Sequence, residues 1–230
     1  MVTPLSIRRS VEDARGRPLH DLRVSVIDRC NLRCAYCMPA ETYHEKYRFL
    51  DESEWLRFDE IERAVRAFVR LGVSKVRITG GEPLLRPGVA DLVARLAPID
   101  GIDDLALTTN GLLLPRYAEA LRAAGLHRLT VSLDSLDDGV NGAMNGRGRS
   151  AADVMAGLDA AAAAGFAEIK INAVVVRGVN EDGVLDLVER FRGTGHVLRF
   201  IEYMDVGNRN GWRAGDVVSS RELLDRIGSR

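Results

Sequence analysis

Leu71-Gly72-Val73-Ser74-Lys75-Val76-Arg77-Ile78 returns later in the chain as Ala124-Gly125-Leu126-His127-Arg128-Leu129-Thr130-Val131, and again as Ala164-Gly165-Phe166-Ala167-Glu168-Ile169-Lys170-Ile171. Each copy reads as the end of a helix, a glycine that stops it, a short loop and a strand in the same register. Gly193 or Gly195 before His196 to Met204 is a looser fourth copy. Working outward from these copies places strands near 22–28, 75–80, 104–110, 128–134, 168–176 and 197–204. Helices fall near 60–71, 88–97, 115–124, 150–164, 181–192 and 219–227, with Asp59 expected as the cap of the first. Such alternation predicts parallel strands joined by helical crossovers. Six units are too few for a closed eight-stranded barrel. The fold class expected is α/β, a partial (βα)6 TIM-like barrel with outer helices; a flat doubly wound sheet stays open on pattern alone.

The strands alternate. One face carries Leu22, Val24, Val76, Ile78, Leu105, Leu107, Leu129, Val131, Ile169, Ile171, Leu198 and Phe200, the side expected to meet the helices. The other carries Arg23, Ser25, Lys75, Arg77, Thr79, Thr108, Thr130, Ser132, Lys170, Asn172 and Arg199. Strands buried on both faces should be almost continuously apolar. This pattern instead predicts a polar lumen with cations pointing inward. Buried charges without partners are costly, so an anionic, phosphate-bearing ligand is the expected occupant. The competing picture is a one-sided antiparallel sheet whose polar face meets water, and the helix–strand alternation argues against it.

Working residues of such folds sit at the C-terminal ends of strands. The first strand ends in Cys30-Asn31-Leu32-Arg33-Cys34-Ala35-Tyr36-Cys37, which holds all 3 cysteines of the protein. Polar neighbours argue against buried core thiols, and the odd count argues against a disulfide framework. Three thiolates cannot complete a four-coordinate zinc or a closed four-cysteine cluster. A Cys3His zinc site would need His44. The favoured reading is an iron–sulfur cluster with one open iron. Gly80-Gly81-Glu82-Pro83 follows the second strand and Thr108-Thr109-Asn110-Gly111 the third. The fourth ends in Ser132, Asp134 and Ser135, the fifth carries Asn172, and the sixth ends at Glu202, Met204 and Asp205.

The 230 residues fit one domain, and a hydrophobic content of 46% supplies a sizeable core. Lys+Arg 32 against Asp+Glu 33 leaves a formal charge of −1, which gives no basic field for nucleic acid. No apolar run suggests a membrane span, and the first residues do not read as a signal peptide. A reducing, cytoplasmic setting is expected for cluster-binding thiols.

The C-x3-C-x2-C spacing, with Tyr36 just before the last cysteine, resembles the signature of the radical S-adenosylmethionine (SAM) superfamily. Within it the chain is similar to the GTP 3′,8-cyclase family of molybdenum-cofactor biosynthesis. Asp21 to Val26 leading into Asp28 to Cys34, Arg77 to Arg86, Thr108 to Gly111, Val131 to Leu136, Lys170 to Asn172 and Arg199 to Asp205 carry that likeness, from about Leu19 to Trp212. The resemblance implies one radical SAM domain over 1–230, with the barrel at about 19–212. It implies a [4Fe-4S] cluster on Cys30, Cys34 and Cys37, and SAM contacts at Tyr36, Gly80, Gly81, Glu82, Ser132 and Met204. GTP contacts fall on Arg23, Lys75, Arg77, Thr108, Lys170 and Arg199.

The implied chemistry is radical SAM lyase chemistry. The cluster, reduced by an external electron donor, cleaves SAM, and the deoxyadenosyl radical takes the ribose 3′ hydrogen of GTP, whose carbon then attacks guanine C8. Family members continue into a region with three more cysteines that hold a second cluster, and no cysteine follows Cys37 here. The expectation is therefore a shortened form or fragment, with SAM cleavage retained and cyclisation impaired. Alternatives are a radical SAM enzyme acting on another nucleotide or a peptide, a cluster-carrying protein without catalysis, and a zinc-stabilised binding module. Whether the chain forms a homodimer stays open.

Overall fold

The computed structural model describes residues 11–206 and 210–229. One sheet runs through it in the order β1 (Asp21–Ser25), β2 (Lys75–Thr79), β3 (Asp104–Thr109), β4 (Arg128–Ser132), β5 (Ile169–Val175) and β6 (Val197–Glu202). Every neighbouring pair is parallel, and among the described residues β1 and β6 do not pair with each other. The sheet is therefore an open, partial barrel of the expected class. Around it lie α1 (Phe58–Arg70), α2 (Val89–Leu96), α3 (Leu114–Ala123), α4 (Asp138–Asn145), α5 (Ala151–Ala163), α6 (Val184–Phe191) and α7 (Ser220–Gly228).

The glycine punctuation does what the repeats require. Gly72, Gly125 and Gly165 take φ of 114°, 94° and 92°, a region that side chains with a Cβ seldom enter. The next residue then reaches back five positions in each copy: Val73 N–H donates to Phe68 O, Leu126 N–H to Leu121 O, and Phe166 N–H to Ala161 O. This closes the helix end and aims the chain into the following strand.

The core lies between sheet and helices. Val76, Ile78, Leu105, Leu107, Leu129, Val131, Ile169 and Ile171 are buried against Val65, Leu92, Leu121 and Leu158 of the helices, while Leu22, Val24, Leu198 and Phe200 pack on the edge of that cluster. The opposite face of the sheet forms the polar lumen. Arg23 pairs in register with Arg77, Thr108 with Thr130, Thr130 with Lys170, and Asn172 with Arg199.

Three details differ from the sequence expectation. Helix α1 starts at Phe58, because Glu60 Oε2 accepts from Arg57 N–H at 2.8 Å and places the cap at Arg57; Asp59 sits within the first turn. Helix α4 was not expected. Its sequence, Asp138-Gly139-Val140-Asn141-Gly142-Ala143-Met144-Asn145, is poor in helix formers, and the side chain of Asp137 starts it by accepting from Val140 N–H. Glu202 does not turn toward the lumen: its Oε1 accepts from Ser220 Oγ and Ser220 N–H at the start of α7.

Candidate active site

The cysteine segment follows the end of β1 and is held from three sides. Gly81 N–H donates to Ile27 O at 2.6 Å and Glu82 N–H to Arg29 O at 2.8 Å, tying it to the turn after β2. Asn110 Nδ2 donates to Asn31 Oδ1 at 2.7 Å, tying it to the end of β3. The C-terminal end of α4 forms the third side, with Arg33 N–H donating to Asn145 O and Ala35 N–H to Met144 O. The approach leaves no room for side chains. A Cβ on Gly81 would stand 2.1 Å from Arg29 O, one on Gly80 2.6 Å from Ile27 O, and one on Gly146 2.3 Å from Arg33 O.

Cys30, Cys34, Cys37, Tyr36, Gly81, Glu82, Thr108 and Ser132 line one open cavity. The structure thus brings together eight of the expected site residues. Gly80 shapes the turn after β2 without lining the cavity, and Met204, two residues past the end of β6, is 59% exposed and does not line it either. Asp134, Asn110, Asn141, Asn145 and Arg149 also line it. Asp134 and Asn110 were legible as strand-end residues. The other three come with α4, where two buried asparagines hold the Arg149 backbone: Asn141 Nδ2 and Asn145 Nδ2 donate to Arg149 O, and Arg149 N–H donates to Asn145 Oδ1.

The cavity is electrically unusual. Glu82 is 1% exposed and accepts from Leu84 N–H and Thr109 Oγ1 on Oε1 and from Asn110 N–H on Oε2. Burial pushes its carboxyl above the usual range in spite of those donors, and among the described residues it forms no ion pair. A buried carboxylate of this kind suits a ligand that brings a positive charge. Asp134 is buried as well, accepting from Tyr36 Oη at 2.7 Å and Val174 N–H at 2.9 Å, and burial pushes it up to about 6.

Burial, reinforced by Asp134, raises the Cys34 thiol to about 12, and burial raises Cys30. Such thiols are poor free nucleophiles; they lose their protons when a cation binds them. Among the described residues no three His, Cys, Asp or Glu side chains close on a point that one metal ion could fill. His44 is exposed, and its Nδ1 accepts from Lys46 N–H. Three thiols spread round a cavity, with a cation-seeking carboxylate beside them, fit a cluster that leaves one corner to a charged ligand.

Below the cavity the lumen holds the expected cations. Arg77 Nε and Thr108 Oγ1 are buried with no hydrogen-bond partner among the described residues. Arg199 donates twice to Asn172 Oδ1. Burial, and then the charges of Arg128, Arg199 and Lys75, lower the proton affinity of Lys170. Two points revise the expected charge balance: Lys75 is paired with Asp21 at 3.1 Å, and Arg128 joins the set, paired with Asp104.

Residues 24–191 match the family model of the Radical SAM superfamily. The chain belongs to the radical SAM superfamily. A curated relative from Xanthomonas axonopodis pv. citri, named GTP 3′,8-cyclase, is 58% identical over 220 residues, 96% of this chain and 66% of that protein. Relatives of the same name from Acidothermus cellulolyticus (55% identity, 95% of this chain, 60% of the relative) and Staphylococcus haemolyticus (47%, 95%, 64%) match similarly. This radical SAM chain therefore spans just under two thirds of the length of those relatives. Among solved structures, Streptococcus suis SuiB bound to S-adenosylmethionine matches with a TM-score of 0.70 at 18% identity, over 91% of this chain and 47% of SuiB. Methylornithine synthase PylB matches at 0.66 and 13%, over 90% and 60%. These two likenesses show the partial-barrel fold. Among the described residues no helix is long and apolar enough to cross a membrane.

Proposed function

We propose that this chain is the cluster- and SAM-binding barrel of a GTP 3′,8-cyclase, a radical SAM lyase acting in molybdenum-cofactor biosynthesis in the cytoplasm. The observation that carries the reading is the union of two sites: a three-thiol cavity at the strand ends opens onto a lumen whose cations face inward with Arg77 Nε and Thr108 Oγ1 unpaired among the described residues. The names of the relatives supply the specific reaction.

Cys30, Cys34 and Cys37 would hold a [4Fe-4S] cluster, and the cavity around Tyr36, Gly81, Glu82 and Ser132 would hold SAM, with Gly80 shaping the turn and Met204 supplied from the segment after β6. When bound and reduced by an external donor, this pair supplies the carbon radical that removes hydrogen from the substrate. The protein's own work is placement. Glu82 offers a fixed carboxylate to the methionyl ammonium, and Gly80 and Gly81 let the turn approach the cysteine segment. Arg23, Lys75, Arg77, Lys170 and Arg199 draw the phosphates down the lumen, with Thr108 donating, so that the ribose stays near the thiol cavity. A lumen of that charge favours a nucleotide over a neutral peptide.

Residues 1–230 would then be one radical SAM domain, and the guanine end of the pocket would belong to the region matching the remaining third of the longer relatives. The test is anaerobic reconstitution followed by GTP turnover, with the chain alone and with the C-terminal third of a relative supplied. The expected result is SAM cleavage in both cases and efficient cyclisation only in the second. SAM cleavage that proceeds equally with a peptide and never consumes GTP would overturn the assignment.

A further inference from the structure

The floor of the lumen is a row of alternating charge. Asp21, Lys75 and Asp104 are consecutive register partners on β1, β2 and β3, and Lys75 Nζ lies 3.1 Å from Asp21 Oδ1. Arg128, the first residue of β4, reaches across to Asp104: Nε donates to Oδ1 at 2.9 Å and Nη2 donates to Oδ2. The two side chains are only 25% and 23% exposed. Arg128 also belongs to the field of the cations above it, since its charge acts on both Lys170 and Arg199.

Depth matters here. Thr108 lines the thiol cavity, and Asp104 lies four residues earlier on the same face of β3. At roughly 3.3 Å per residue that is about 13 Å, comparable with the reach of an extended triphosphate from a ribose held at the cavity. A terminal phosphate would therefore arrive at the floor, whereas a diphosphate would stop short of it.

We propose that Arg128 is the terminal-phosphate contact of this lumen and that Asp104 is its positioning residue. The inference rests on the nucleotide reading above. In the free protein Asp104 occupies the guanidinium fork and spares the lumen an uncompensated charge. A terminal phosphate presents oxygens that the same fork can take in bidentate fashion, while a shorter polyanion leaves Arg128 on Asp104. The pair thus makes the floor a gauge of chain length, which a plain staple between β3 and β4 would not be.

The experiment measures Kd for GTP, GDP and inorganic tripolyphosphate on the full chain by calorimetry, for wild type, Arg128→Gln and Asp104→Asn. Arg128→Gln is expected to weaken GTP and tripolyphosphate by about tenfold, the effect of losing one charge-assisted fork, with GDP affected far less. Asp104→Asn removes the carboxylate that a terminal phosphate must displace and is expected to tighten GTP and tripolyphosphate, with GDP, which stops short of the floor, changed far less, so that the ratio moves the opposite way. Variants that lower Tm but leave the GTP:GDP ratio unchanged would overturn the proposal. Should Arg128→Gln fail to fold, Arg128→Lys keeps the charge without the fork and must still reduce the ratio; an unchanged ratio refutes the idea equally. If the wild-type chain binds neither GTP nor tripolyphosphate, the anion lumen itself fails and the proposed function with it. Binding of both by wild type and variants alike refutes only the role of the pair.

Discussion

Gly81→Ala is the perturbation whose consequence follows most directly from the geometry. The added Cβ would lie 2.1 Å from Arg29 O, 2.4 Å from Arg29 C and 3.0 Å from Cys30 N, where ordinary contact begins at 3.4 Å. The Arg29–Cys30 peptide would have to retreat by roughly 1 Å, a displacement that a packed backbone resists. It has little freedom to do so, because Arg29 O accepts from Glu82 N–H and Ile27 O accepts from Gly81 N–H. Overpacking of this kind costs about 1–3 kcal/mol, which for a chain of this size lowers Tm by about 3–10 °C. The larger effect falls on assembly, since the peptide that moves leads into the first cysteine. The assay pairs thermal unfolding of the cluster-free chain with iron content after anaerobic reconstitution. Gly228→Ala, where a Cβ meets nothing within 4 Å among the described residues, serves as the control and should match wild type in both. A Gly81→Ala protein that melts with wild type and takes up a full iron complement would refute the reasoning.

Three further outcomes follow from the site. Glu82→Gln replaces an acceptor-only group by an amide that must oppose one of three donors; SAM affinity measured by calorimetry should fall by at least about tenfold, and unchanged affinity would remove Glu82 from the ammonium site. Asp134 is raised to about 6 by burial, so the folded chain holds that proton more tightly than the unfolded chain, and its contribution to stability declines as pH climbs from about 4 to about 6. Asp134→Asn should erase this slope and stabilise the cluster-free chain at pH 7 by up to about 3 kcal/mol, read by urea unfolding across that range; parallel curves for variant and wild type would contradict it. Lys170→Ala should leave SAM cleavage intact while raising Kd for GTP by about tenfold, and equal GTP binding would count against the cation lumen.

Much of this architecture could be read from the chain because its signals are local. The three glycine-ended repeats fix where helices stop and strands begin, and two-residue alternation separates Val76 and Ile78 from Lys75 and Arg77 without knowledge of the fold. The cysteine spacing, likewise, lies within one short segment. What escaped notice depends on tertiary partners. Helix α4 has weak intrinsic propensity and is held by its Asp137 cap and its contact with the cysteine segment, so Asn141, Asn145 and Arg149 could not be placed at the cavity beforehand. Arg128 read as one residue of a repeat; its role in the lumen emerges only once β3 and β4 are in register and Asp104 comes beside it. Glu202 sits at a strand end like the working residues, yet the start of α7 claims it.

The proposed function requires three thiolates to hold a cluster whose remaining iron is open to SAM. Electron paramagnetic resonance of the anaerobically reconstituted, reduced chain, recorded with and without SAM, addresses it directly. The expected result is a signal from a cluster of about four irons that changes on adding SAM and is lost in Cys34→Ala. A signal indifferent to SAM, or a colourless protein that retains zinc in place of iron, would contradict it.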